Sequence, residues 1–301
     1  MLKKYLPLLL LCTAPVFAKP VLTVYTYDSF AADWGPGPVV KKAFEADCNC
    51  ELKLVALEDG VSFLNRLRME GKNSKADVVL GLDNNWNNDT FVPFDYGYFA
   101  FVYDKNKLKN PPQSLKELVE SDQNWRVIYE DPRTSTPGLG LLLWMQKVYG
   151  DNAPQAWQKL AKKTVTVTKG WSEAYGLFLK GESDLVLSYT TSPAYHILEE
   201  KKDNYAAANF SEGHYLQVEV AARTAASKQP ELAQKFLQFM VSPAFQNAIP
   251  TGNWMYPVAN VTLPAGFEQL TKPATTLEFT PAEVAAQRQA WISEWQRAVS
   301  R

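Results

Sequence analysis

Short apolar runs alternate with stretches of helical spacing along most of the chain. Leu22–Phe30 (LTVYTYDSF) begins as a β-rich run and breaks into a loop over Ala31–Pro38. Val39–Ala46 has apolar positions at helical spacing, Glu51–Leu57 (ELKLVAL) predicts a strand, and Asp59-Gly60 opens a helix, VSFLNRLRMEG. Ala76–Leu82 (ADVVLGL) is an apolar run of buried-strand length. Strand, helix, strand, helix, strand in this order predicts a parallel α/β sheet.

Phe91–Asp104 (FVPFDYGYFAFVYD) breaks that rhythm with a long aromatic run, extended enough to pass from one domain to another. A second α/β set follows it. Strands are predicted at Trp125–Glu130, Val165–Thr168 and Asp184–Tyr189, and helices at Leu115–Ser121, Pro137–Tyr149, Pro154–Lys163 and Glu173–Leu179. Tyr215–Arg223 (YLQVEVAAR) is a second long strand that matches the aromatic run as a return crossing. The rest reads as helical: Pro230–Met240, Pro243–Ile249 and Pro281–Arg301. The expected organisation is a leader over 1–18, a first lobe made of 19–98 plus 212–301, and a second lobe of 99–211. Two lobes joined by two crossings enclose a cleft, and open α/β sheets bind ligands beyond the carboxyl ends of their strands. A secreted protein of this shape is most simply a substrate-binding protein that closes on a small ligand.

Charge and composition narrow the function. The formal net charge of −1 gives no basic footprint for nucleic acid, and 46% hydrophobic content with 13% aromatic residues excludes a disordered chain. Met1–Ala18 (MLKKYLPLLLLCTAPVFA) has a basic start, an apolar stretch and a small-x-small end at Val16-Phe17-Ala18, the pattern of a cleaved secretory signal. Cys12 would leave with it, and Cys48 and Cys50 would remain in an oxidising compartment. A turn at Asn49 could bridge them; two packed thiols are the other reading. Two cysteines with no nearby histidine make a poor metal site.

The residues just after each strand should face the cleft. Tyr27 and Trp34 follow the first strand, Trp171 follows VTVTKG, Tyr189 and Tyr195 follow DLVLS, and Trp254 sits in IPTGNWMYP. Loop tyrosines and tryptophans offer flat surfaces for a planar or cationic ring. Ser135-Thr136-Pro137-Gly138 places a cap and Pro at a helix start, where free amides and hydroxyls can take a phosphate or carboxylate. Thr190 also follows DLVLS, and Thr191-Ser192-Pro193 repeats the arrangement at this next strand end, although ordinary N-capping would use the same residues. Asp59-Gly60 is either a helix cap or an acceptor for a ligand's amino or cationic group. His196 and His214 form no recognisable triad, and P-loop, GxGxxG and HExxH patterns do not occur. No catalytic residue, metal or cofactor is implied.

The stretches LTVYTYDSFAADWGPGP, LEDGVSFLNRL, DPRTSTPGLGLLLWMQ, TKGWSEAY, LVLSYTTSPAYH and TGNWMYP resemble the periplasmic thiamine-binding proteins of Gram-negative bacteria. These are the soluble components of thiamine ABC importers, and the likeness covers essentially the whole chain. The resemblance implies a type II periplasmic-binding fold, capture of thiamine, thiamine monophosphate and thiamine diphosphate, and delivery to a membrane permease. It places binding positions on Asp59, Gly60, Ser135, Thr136, Trp171 and Tyr189 to Ser192, with Tyr27, Trp34, Tyr195 and Trp254 as further pocket positions. One departure follows Asn85, where the family has a helix and loop and this chain runs directly through Trp86–Asp89 into the aromatic run. A ferric-ion binder of the same fold and a secreted phosphate-ester hydrolase are the rival readings.

Overall fold

The computed structural model describes residues 17–85 and 90–300. The leader reading rests almost wholly on residues 1–16, and the family departure on 86–89, both outside the described residues.

Strands β1 (Val21–Tyr27), β2 (Glu51–Leu57) and β3 (Val78–Asp83) form a parallel set in the order β2-β1-β3. β3 is buried along its whole length, as a continuous apolar run in a covered parallel sheet should be. A second parallel set, in the order β7-β5-β6, comes from β5 (Val127–Glu130), β6 (Thr164–Thr168) and β7 (Leu185–Tyr189).

β4 (Val92–Asp104) joins the two. Its residues 92–98 pair antiparallel with β9 (His214–Arg223), and its residues 99–103 pair antiparallel with β7. β9 also pairs with β3, with Asp83 opposite Glu219, so it carries the chain back to the first sheet. A register shift between Pro93 and Asp95 bends β4 where proline supplies no ladder N–H. The two crossings expected from the sequence are thus β4 and β9.

Each sheet covers its own core. The first gathers Leu22, Val24, Phe30, Phe44, Phe63 and Phe236; the second gathers Phe101, Leu142, Trp144, Trp157, Phe210 and Tyr215. The helix Thr136–Tyr149 is buried on every face from Thr136 to Gln146, the behaviour of an all-round apolar helix.

The expected assignment of 212–301 to the first lobe needs correction at its end. Pro230–Phe239 packs on the first core, but Pro281–Val299 lies on the second. Val284, Trp295 and Ala298 form one apolar face of that helix. Trp295 meets Trp157 edge-on at 6.5 Å and donates from Nε1 to Tyr129 Oη at 3.1 Å. The apolar stripe settles where matching apolar surface is available, whatever its position in the chain.

Local boundaries differ in instructive places. Trp171 is the first residue of the helix Trp171–Leu179 rather than a loop residue. The helix expected to reach Ile249 stops at Gln246, and a π-helical turn, Ile249–Asn253, delivers Trp254 in left-handed backbone geometry (φ 55°). Cys48 and Cys50 are joined by a disulfide, with Asn49 in left-handed geometry (φ 49°, ψ 38°) and Cα atoms 5.1 Å apart. No described helix is long and apolar enough to cross a membrane.

Candidate functional site

A cleft of about 360 Å³ opens at the strand ends, with the crossing strand β9 contributing Glu219 to its lining. Of the residues singled out from the sequence, Tyr27, Trp34 and Asp59 line it from the first lobe. Thr136, Trp171, Tyr189, Ser192 and Tyr195 line it from the second, and Trp254 comes from the segment after the π-helical turn.

The aromatic rings are held rather than loose. Trp171 stacks on Tyr175 at 5.1 Å and 19°, and Tyr195 meets Trp254 edge-on at 5.4 Å. Trp171 Nε1 donates to Ser188 Oγ at 2.8 Å, and Ser188 Oγ shares a 2.6 Å hydrogen bond with Ser192 Oγ. Tyr175 in turn pairs with the buried His196 Nε2 at 2.8 Å, and His196 Nδ1 bonds Glu200. Trp34 stands 55% exposed at the rim. The cleft therefore has fixed flat walls and one ring open to solvent.

Asp59 joins the lobes. It caps the helix Gly60–Glu70, its Oδ1 accepting from Gly60 N at 2.7 Å. The same oxygen accepts from Thr136 N at 3.2 Å, while Oδ2 accepts from Ser135 Oγ at 2.8 Å and Trp171 N at 3.2 Å. Three helix N-termini thus converge on one carboxylate, a favourable place for negative charge. Burial still dominates and pushes the Asp59 pKa up to about 6, against the lowering by its four donors. Further contacts tie the same rim: Ser62 N to Thr134 O at 3.0 Å, Asn65 Nδ2 to Arg133 O at 3.2 Å, and Ser172 Oγ to Asp28 Oδ1 at 2.8 Å. Gly60 permits the close approach, because a Cβ there would lie 2.2 Å from Thr136 Oγ1 and 2.6 Å from Gly81 O.

The two strand ends expected to take an anion use their donors differently. At Ser135-Thr136 the Thr136 amide and the Ser135 hydroxyl donate to Asp59 from the opposite lobe, while the Ser135 amide donates to Asp131 O. At Thr191-Ser192 there is no comparable nest. The helix Pro193–Leu198 is six residues long, Ser192 already has helical backbone angles, and its hydroxyl turns back to Ser188 and Tyr189 N. Gly60, Ser135, Thr190 and Thr191 are buried behind the cleft surface rather than on it. Two strand-end residues with the same sequence signature were separated by which donors the fold brings nearby.

The floor of the cleft is acidic. Glu219 lines it and accepts from Tyr27 Oη at 3.2 Å and from Asn253 Nδ2 at 3.1 Å. The same Asn253 nitrogen reaches Asp95 Oδ2 at 2.6 Å, and Asp95 faces Glu219 across β4 and β9. Among the described residues the buried Glu130 has no hydrogen-bond partner at either carboxyl oxygen, and burial first, then the Asp59 charge, pushes its pKa well up. Sequence reasoning overlooked Glu219, Asp95, Asn253 and Tyr175. Tyr175 was findable, one helical turn after Trp171; Glu219 shares a strand face with Tyr215 and Gln217 by simple alternation.

The chain belongs to the bacterial extracellular solute-binding protein family, whose family model matches residues 36–247. Within it, the chain is 90% identical, over an alignment of 327 positions covering all of both sequences, to the thiamine-binding periplasmic protein of Escherichia coli strain K12. It is 48% identical to the protein of that name in Haemophilus influenzae, covering 94% of each chain. A solved structure described as a periplasmic thiamin binding protein matches with a TM-score of 0.92 at 90% identity, covering 94% of this chain and 97% of the other. Iron-bound HitA from Pseudomonas aeruginosa matches at 20% identity with a TM-score of 0.74, covering 93% and 99%, which speaks for the fold alone. The fold is the two-lobed, type II periplasmic-binding arrangement.

Proposed function

We propose that this protein is a periplasmic solute-binding protein that captures thiamine, together with its monophosphate and diphosphate, and delivers them to the permease of an ABC importer. The observation that carries the reading is a cleft between two lobes with flat aromatic walls and a negatively charged floor. Thiamine has two flat heterocycles, one of them a permanent cation, and such a cation gains most from a desolvated aromatic and anionic setting. The names borne by relatives of 90% and 48% identity support the same reading, as does the leader pattern for its location.

Thr136 supports the extension to the phosphate esters, because it stands on the cleft surface at the start of a long helix, where a hydroxyl can donate to an anion. Ligand that touches both lobes favours the arrangement in which they meet, and the permease reads that shape.

Titration of intrinsic tryptophan fluorescence tests this. Thiamine is expected to give a saturable change at micromolar concentration or below, and a silent titration overturns the reading. Trp171→Ala should weaken binding by about tenfold or more through lost stacking, with an unchanged melting temperature within a few degrees.

A further inference from the structure

Two acids at the bottom of the cleft are paired in a way the walls do not explain. Glu219 is 5% exposed and lines the cleft, while Asp95, its register partner, is fully buried behind it. Both reach the single amide nitrogen of Asn253. Among the described residues, Asp95 Oδ1 accepts from no donor. A buried carboxyl oxygen without a partner is accounted for when it bears a proton, because it then donates to its neighbour.

Two buried carboxylates in contact do not both ionise. Burial, followed by the Glu219 charge, holds the Asp95 pKa well above its ordinary value. Burial raises Glu219 as well, offset by hydrogen bonds from Asp95, Tyr27 and Asn253. The pair therefore keeps one proton, on Asp95, and one negative charge, on the residue that faces the cleft. Around it stand Tyr27 on β1, Tyr189 on β7 and Asp83 on β3. Both phenols are pushed well up by burial and stay neutral, and Asp83 lies toward the Arg288 charge. None of these groups brings a positive charge to Glu219.

We propose that Glu219, backed by Asp95, is the specificity-determining group of the cleft, selecting a ligand that carries a permanent positive charge on a flat ring. Aromatic walls accept neutral and cationic rings alike, with a modest preference for the cation. A fixed, poorly solvated carboxylate whose described neighbours bring it no counter-charge discriminates far more strongly. Asp95 is a positioning residue: its proton fixes the Glu219 carboxylate without cancelling its charge.

This inference rests on the thiamine reading for its probe, and calorimetric titration separates the two. Thiamine is compared with a neutral analogue in which the thiazolium is replaced by an uncharged ring of the same shape. The protein should favour thiamine by at least about 30-fold, the scale of a buried charge pair. Glu219→Gln should lose most of that preference by weakening thiamine alone, with the analogue changed less than about threefold. Asp95→Asn keeps a hydrogen-bond donor behind Glu219 and should retain the preference. A Glu219→Gln protein that still favours the cation overturns the proposal, and so does loss of the preference in Asp95→Asn. If Glu219→Gln does not fold, equal affinity of the unaltered protein for both compounds overturns it. Failure of the unaltered protein to bind thiamine at all removes the functional reading, and this inference with it.

Discussion

Asp59 and Asp95 are both acids buried at the same cleft, yet the fold treats them in opposite ways. Asp59 draws donors from three helix starts and one hydroxyl, so it can hold its charge between the lobes. Asp95 has, among the described residues, one amide nitrogen, a carboxyl neighbour and an oxygen without a donor, so burial and the Glu219 charge hold its pKa well up. Burial alone does not decide the state of a buried acid; the number of donors delivered to it does. One acid becomes a clasp, and the other a backing for the charge in front of it.

The largest test of this contrast is removal of each carboxyl. Asp59→Ala strands donors from both lobes and should lower unfolding stability by about 3–5 kcal/mol, while Asp95→Asn should cost about 1 kcal/mol or less, both read by urea denaturation. Equal losses would erase the distinction.

Asp83 extends the comparison to a third buried acid. Its carboxyl accepts from Asn85, through the side chain at 2.9 Å and the backbone N–H at 3.1 Å, and burial pushes its pKa from 3.8 to about 6. Over that window the folded protein holds a proton that the unfolded chain has released. Stability from this group is therefore full below 3.8 and falls as pH rises to about 6, by at most roughly 3 kcal/mol. Asp83→Asn should flatten the fall of melting temperature with rising pH across the same interval.

Gly60→Ala probes the clasp sterically. The added methyl would press on Thr136 Oγ1 and the Gly81 carbonyl, a conflict worth about 1–3 kcal/mol against the joined lobes. Small-angle scattering should show a larger radius of gyration than for the unaltered protein. The smallest effect is expected far from the cleft, at the Cys48–Cys50 bridge. A loop closed over a separation of two residues restrains the unfolded chain little, so reduction should cost about 1–2 kcal/mol and leave ligand affinity unchanged.

Much of the frame was legible in the chain. Runs such as ADVVLGL and DLVLSY have the length and apolar content of buried strands, and two extended runs flanking the second α/β set pointed to two crossings. The aromatic lining was legible too, because strand-end tyrosines and tryptophans have few other uses when they recur. The roles of the polar residues were not. Ser135 and Ser192 look alike in sequence, each before a helix-starting Pro or Thr-Pro, yet one meets a carboxylate from the other lobe and the other meets Ser188. The last helix could not be assigned to a lobe for the same reason: its stripe of Val284, Trp295 and Ala298 specifies a partner surface, not an address.

By itself, then, the sequence determined the α/β elements, their order and the aromatic character of the cleft, since hydrophobic periodicity and turn chemistry act over a few residues. Tertiary structure alone decided that Asp59 would fill the helix starts of the other lobe, and that Asp95 and Glu219 would be buried opposite one another. Those outcomes depend on distances between residues more than seventy positions apart, and the charge of a buried group is set by what the fold brings within hydrogen-bond reach.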